Sequence, residues 1–142
     1  MKIPIASDHA GFEMKNAIIE MLKDDFDFED MGTHSPESVD YPDYARKVVM
    51  AIKEKPELKG ILLCGSGEGM QMTANKYGFI RAALCWNTEV ARLTRMHNDA
   101  NVLVLPARFI SLKEAIKCVK IFFSTEFEGG RHILRLEKMK RS

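Results

Sequence analysis

The 142-residue chain carries 21 lysine and arginine residues against 20 aspartate and glutamate residues, a formal net charge of +1. This balance lacks the strongly basic character of nucleic-acid-binding proteins, and no stretch approaches the roughly 20 apolar residues of a membrane span. We therefore expect neither nucleic acid nor membrane as a partner, and one domain over residues 1–142 with a sizeable core.

The strands and helices expected from hydrophobic periodicity alternate along the whole chain. The apolar runs predict strands near residues 2–6, 26–29, 60–64, 81–85 and 102–105. Helical spacing predicts helices near residues 12–23, 44–53, 68–76, 89–96, 111–123 and 127–140, with Thr88 and Ser111 as candidate caps. Glu114 stands at capping-box spacing after Ser111. The pattern predicts a three-layer α/β/α, Rossmann-like fold with a five-stranded parallel sheet and a C-terminal helical extension.

The cysteines indicate a reduced protein. Cys64, Cys85 and Cys118 are odd in number and widely spaced, without a paired motif, so we expect neither disulfides nor structural zinc. The N-terminal residues 1–5 resemble a strand and lack the apolar region of a signal peptide. These observations favour a cytoplasmic protein.

The glycine-rich stretch after the third strand is the strongest candidate site. Cys64 ends a continuous apolar run and is followed by Gly65-Ser66-Gly67-Glu68-Gly69, which leads into a helix. Unpaired N–H groups at a helix start favour an anion, and also a thiolate on Cys64. The stretch therefore predicts either a catalytic thiol or a tight turn with an inert buried cysteine, and ligands are expected at the carboxyl ends of the strands.

Other candidate residues each have a plain structural alternative. Asp8 and His9 follow the first strand, where they could form the site or merely cap a helix. His97 could be a catalyst or an ordinary structural histidine, and its place at the same edge of the sheet does not follow from the pattern. Arg131 and Arg135 lie four apart on one face of the last predicted helix, which suits either a phosphate group or a solvated surface.

Five stretches, taken in order, resemble ribose-5-phosphate isomerase type B, a family that also includes allose-6-phosphate and galactose-6-phosphate isomerases. They are residues 7–12, 40–43, 64–67, 97–102 and 126–132. The resemblance implies interconversion of ribose 5-phosphate and ribulose 5-phosphate in the pentose phosphate pathway, without a metal or an organic cofactor. It also implies a homodimer with the site between two subunits, and leaves a tetramer open.

The resemblance further implies a role for each matching residue. Cys64 is the base, Ser66 binds substrate or helps the proton transfer, and His97 opens the sugar ring. The sugar-binding positions are Asp8, Tyr41 and Asn98. The phosphate-side positions are His9, Arg108, Arg131 and Arg135. The backbone donors of the glycine loop are Gly65, Gly67, Glu68 and Gly69.

Two departures from the family pattern, at Glu68 and Trp86, leave questions open, and a third position, Met70, bears on the mechanism. Glu68 replaces an apolar residue and would raise the pKa of Cys64 if it faced the site. Met70 stands where some relatives carry a glutamate base, so the cysteine mechanism fits this chain. Trp86 replaces a smaller residue and could narrow the pocket, so a six-carbon substrate remains an alternative. A non-catalytic sugar-phosphate binder is another, although the presence of Cys64 and His97 argues against it.

Overall fold

A computed structural model describes residues 1–140. Within this range the chain forms five strands, a short 3-10 helix at His9–Gly11 and six α-helices. The strands are β1 Ile3–Ser7, β2 Phe28–Asp30, β3 Gly60–Cys64, β4 Ala82–Leu84 and β5 Val102–Pro106. The helices are α1 Phe12–Leu22, α2 Tyr41–Glu54, α3 Glu68–Ala74, α4 Thr88–Asn98, α5 Leu112–Ser124 and α6 His132–Lys140. Among these helices, none has the length and apolar character needed to cross a membrane.

The sheet is parallel throughout, with the strand order β2-β1-β3-β5-β4, which confirms the predicted fold class. Alternate residues of a strand point to opposite faces, so Ile61 and Leu63 join one core and Leu62 and Cys64 the other. The first core lies under α1, α4 and α5, and the second lies under α2 and α3. Because both faces are covered, the central strands read as continuous apolar runs.

The strand order creates a crevice beside the end of β3. The chain leaves β1 for α1 on one face of the sheet, whereas it leaves the neighbouring β3 for α3 on the other face. The two connections diverge, and this divergence is where ligands of open α/β sheets bind. Cys64 is the last residue of β3 and therefore borders this crevice.

The cap of α4 differs from the prediction, whereas the cap of α5 confirms it. Asn87, and not Thr88, caps α4, because its side chain accepts a hydrogen bond from the Val90 amide at 2.9 Å. Thr88 instead donates to Glu114 through its amide at 2.8 Å and its hydroxyl at 2.7 Å. Ser111 does cap α5, accepting from the Glu114 amide at 3.1 Å. The capping box is thus half formed, because the Glu114 carboxylate bonds to the start of α4.

The last helix is shorter than predicted. It begins at His132 and not near residue 127, and Gly129 and Gly130 just before it have φ values of +74° and +57°. These left-handed conformations are incompatible with a continuous right-handed helix. Arg131 therefore precedes α6, and the prediction that it shares a helical face with Arg135 is wrong in that respect. Earlier in the chain, α2 begins at Tyr41, three residues before its predicted start at residue 44.

Candidate active site

Cys64 lies under backbone amides at the start of α3. Its side chain is buried, with the residue 5% exposed. Burial raises the pKa of the Cys64 thiol, and the Asp8 carboxylate raises it further, whereas hydrogen bonds from the amides of Met70, Gly67 and Gly69 lower it. The net shift is upward, so the expectation of a favoured thiolate is not met in the chain by itself. The amides reduce the cost of ionising the thiol without overcoming its burial.

The glycine loop adopts a conformation that side chains would block. Gly67 has a φ of +80°, and a Cβ atom there would lie 2.4 Å from Leu84 Cδ1. The Ser66 hydroxyl accepts a hydrogen bond from the Glu68 amide at 3.2 Å, so that amide is already engaged. The Glu68 side chain is exposed, and the carboxylate that raises the pKa of Cys64 is Asp8.

The end of β1 packs directly on the end of β3. Asp8 Oδ1 accepts hydrogen bonds from the amides of Ala10 at 2.9 Å and Gly11 at 3.2 Å, so Asp8 is a cap as well as a site residue. The Asp8 amide donates to the Leu63 carbonyl at 3.3 Å. A Cβ atom on Gly11 would lie 2.8 Å from Leu63 Cβ, so this contact requires glycine. Asp8 is thereby held beside Cys64.

Tyr41 and Arg108 cover the same loop, and His9 follows Asp8 at the end of β1. The Tyr41 ring covers Gly69, where an added Cβ atom would lie 2.4 Å from Tyr41 Cε1. The Arg108 side chain covers Gly65, where an added Cβ atom would lie 3.3 Å from Arg108 Cδ. The Arg108 amide donates to the Gly65 carbonyl at 2.9 Å. His9 Nδ1 accepts from an amide of the loop before α2 at 3.2 Å. We call these residues, with Asp8 and residues 64–69, the thiol group.

The other predicted residues form a second cluster, which we call the imidazole group. His97, near the end of α4, stacks on His132, with ring centroids 4.4 Å apart and planes inclined by 18°. Asn98 follows His97 in the same helix. Burial lowers the pKa of His132, and the nearby His97, Arg131 and Arg135 lower it as well. These two arginines therefore lie close to the stacked rings.

Within one chain, the thiol group lies at the carboxyl ends of the parallel strands, and the imidazole group lies at their amino ends. Cys64 pairs with Pro106 at the carboxyl end of β5, whereas His97 precedes Val102, which begins β5 and pairs with Gly60. Five residues of a strand span about 13 Å. One chain therefore does not bring His97 to Cys64.

Two residues of the imidazole group escaped sequence reasoning. His132 and Glu128 belong to the 126–132 stretch that carries the family resemblance, but the stretch does not show that either contacts His97. The potential ligand atoms of His97, Glu128 and His132 lie within 4.8 Å of one another. Imidazole nitrogens and carboxylate oxygens are donor types that zinc uses. The two rings are nearly parallel, however, so their in-plane lone pairs do not converge on one point. The geometry observed is that of stacking.

Trp86 lies two residues beyond the end of β4, at Leu84. It lines a surface cavity of about 730 Å³ along the edge strand β4, together with Leu84, Asn98 and Leu136. Cys64 does not line this cavity, and the Trp86 ring is largely exposed. Within one chain, Trp86 therefore lines a cavity that does not include the thiol.

A thiol under backbone amides at the carboxyl end of a parallel sheet combines a potential base with donors for a developing negative charge, as an enzyme that acts on a small molecule requires. The family model for ribose/galactose isomerase matches residues 3–139. The chain therefore belongs to the ribose/galactose isomerase family, and it is an aldose–ketose isomerase.

Individual relatives agree with this membership over nearly the whole chain. Ribose-5-phosphate isomerase B of Escherichia coli is 39% identical over 137 residues, covering 96% of this chain and 92% of that protein. The crystal structure of a ribose 5-phosphate isomerase from Thermotoga maritima is 52% identical, with a TM-score of 0.96 and coverage of 99% and 98%. The Mycoplasma genitalium ribose-5-phosphate isomerase B structure, with bound ribulose-5-phosphate, is 43% identical, with a TM-score of 0.93 and coverage of 99% and 94%.

Proposed function

We propose that this chain interconverts ribose 5-phosphate and ribulose 5-phosphate in pentose phosphate metabolism, using Cys64 as the base and no metal or organic cofactor. The observation that carries the proposal is the thiol at the end of the central strand, with the amides of Gly67, Gly69 and Met70 directed at its sulfur. The names of the Escherichia coli and Thermotoga maritima relatives and the ribulose-5-phosphate complex of the Mycoplasma genitalium relative support the substrate. The three free cysteines support a reducing, cytoplasmic location.

The proposed chemistry moves one proton between neighbouring carbons. The Cys64 thiolate removes the C2 proton of the open-chain aldose, and the electron pair moves onto O1 to give an enediolate. Cys64 returns the proton to C1, while the O2 proton passes to O1 with the help of Ser66, which gives the ketose. Backbone amides of the glycine loop stabilise the negative charge of the enediolate.

The second subunit of a homodimer supplies the imidazole group in this proposal. The separation of Cys64 and His97 at opposite edges of the sheet supports it, because both are needed at one sugar. Exposed apolar side chains on α6, namely Ile133, Leu134 and Met139, support a contact between subunits through this helix. A dimer completes two sites, and a tetramer remains open.

The imidazole group then acts on the sugar ring and the phosphate. His97 opens the furanose ring, which must expose its carbonyl before C2 can lose a proton. Arg131 and Arg135, with Arg108 and His9 of the thiol group, bind the phosphate through charged donors. Asp8, Tyr41 and Asn98 bind the sugar hydroxyls.

The test is a comparison of substrates on purified protein. Ketose formation is measured with ribose 5-phosphate, allose 6-phosphate and galactose 6-phosphate, and we expect kcat/KM to be at least about tenfold higher for ribose 5-phosphate. Cys64→Ala serves as the control for contaminating isomerase. A preference for a six-carbon sugar would overturn the substrate assignment, and binding without turnover would indicate a sugar-phosphate binder.

A further inference from the structure

His132 is a buried histidine whose ring nitrogen is left unused. The residue is only 3% exposed, and within residues 1–140 its Nε2 atom has no hydrogen-bond partner. Buried polar atoms are normally paired, so an unpaired one needs an explanation. The contact that this side chain does make is the stack on His97, at 4.4 Å and 18°. The stack is therefore the described contact through which the His132 side chain can act on His97.

The segment that carries His132 is fastened to the end of α4, which carries His97. The Glu128 amide donates to the Met96 carbonyl at 3.0 Å, directly before His97. The Arg95 guanidinium donates to the Thr125 carbonyl at 3.1 Å. The two rings therefore rest on backbone that is joined at two points. One face of the half-buried His97 ring meets a neighbour that has little freedom to move.

We propose that His132 is a positioning residue for ring opening, with its ring face holding the His97 imidazole in the orientation that the reaction requires. The proposal rests on the proposed function for the identity of the step, but the positioning itself can be measured without substrate. Misplacing a catalytic group by about 1 Å can cost about 100-fold in rate. Loss of the stack should therefore impair the step that uses His97 and spare the proton transfer at Cys64.

Two substitutions separate the ring from its nitrogen. His132→Phe keeps a flat ring and removes both nitrogens, whereas His132→Asn keeps a polar group and removes the ring. We expect His132→Phe to stay within about threefold of wild type on ribose 5-phosphate, and His132→Asn to lose roughly 10- to 100-fold. His132→Asn should lose much less when ribulose 5-phosphate is converted at early time, because the open-chain ketose needs no ring opening. His34→Asn, at an exposed histidine, is the matched control.

Nuclear magnetic resonance tests the positioning independently of activity. The chain has four histidines, so single variants assign their imidazole signals. Stacking should shift the His97 ring protons upfield in the wild type and in His132→Phe, and His132→Asn should abolish that shift. Thermal unfolding identifies any variant that fails to fold. If His132→Phe fails to fold, two results for His132→Asn decide whether His132 positions His97: its His97 signals, and the difference between its losses on ribose 5-phosphate and on ribulose 5-phosphate.

Several outcomes would overturn the proposal. Equal losses by the Phe and Asn variants would assign the role to the nitrogen, and wild-type kinetics in both would remove the role. Equal losses in the two directions would separate His132 from ring opening, and an unchanged His97 spectrum in His132→Asn would show that the stack does not hold the ring. A wild-type protein that does not turn over ribose 5-phosphate would refute the proposed function, while the spectra would still decide the positioning.

Discussion

Mixing two inactive variants tests whether the active site is shared between subunits. Cys64→Ala damages the thiol group and leaves the imidazole group intact. Arg131→Ala/Arg135→Ala does the reverse, and each variant alone should be close to inactive, since charged hydrogen bonds contribute about 1.5–3 kcal/mol each. If each site combines the thiol group of one subunit with the imidazole group of the other, as we propose, a mixed dimer contains one fully intact site and one doubly damaged site.

The expected activity follows from this geometry. Random exchange of equal amounts makes half of the dimers mixed, with one of their two sites intact, so activity should return to about a quarter of wild type. The assay is ketose formation before and after subunit exchange, with the heterodimer verified by mass spectrometry. Cys64→Ala mixed with Arg108→Ala is the control, since both changes damage the thiol group and no site becomes intact. A verified heterodimer that stays inactive would refute the shared site and leave the phosphate role untouched.

The remaining predictions concern individual residues. Cys64→Ala should bind substrate and lose roughly 10²–10⁴-fold in kcat, whereas Cys85→Ala and Cys118→Ala, at buried thiols outside the site, should leave kinetics nearly unchanged. His97→Asn should lose more turnover on cyclic ribose 5-phosphate than on ribulose 5-phosphate in early-time assays, and equal losses would count against ring opening. Because burial and Asp8 raise the pKa of Cys64, kcat/KM should climb with pH towards and beyond the ordinary thiol range. Asp8→Asn removes a charge that raises this pKa, so the climb should move to lower pH; a shift to higher pH would contradict the reasoning.

The sequence was sufficient to predict the sheet and the placement of Asp8 beside the end of β3. The apolar run that ends at Cys64 predicted a strand buried on both faces, and β3 is buried at every position. Asp8 also follows from the pattern, because parallel strands bring the ends of β1 and β3 to one edge. Such features depend on local periodicity and on the rule that parallel strands share an orientation, both of which are visible in a single sequence.

The imidazole group could not be predicted in the same way. His132 reaches His97 through a segment fastened to α4, where the Glu128 amide donates to the Met96 carbonyl, and this link joins residues that are distant in the sequence. Similarly, Asn87 and Thr88 both have side chains that suit a cap. The choice between them depends on Glu114, which bonds Thr88 from a helix 26 residues further along the chain. Contacts of this range leave no periodic signal.

The contact between Gly11 and Leu63 determines which part of the site can adapt. A single carbon atom does not fit between the loop after β1 and the end of β3, since it would lie 2.8 Å from Leu63 Cβ and 2.9 Å from the Leu63 carbonyl oxygen. This close contact leaves little space for rearrangement between the loop that carries Asp8 and the strand that ends at Cys64. In the shared site that we propose, room for a longer or shorter sugar must come from the imidazole group. Substrate range in this chain should thus evolve through residues 125–135, while the surroundings of the thiol stay constant.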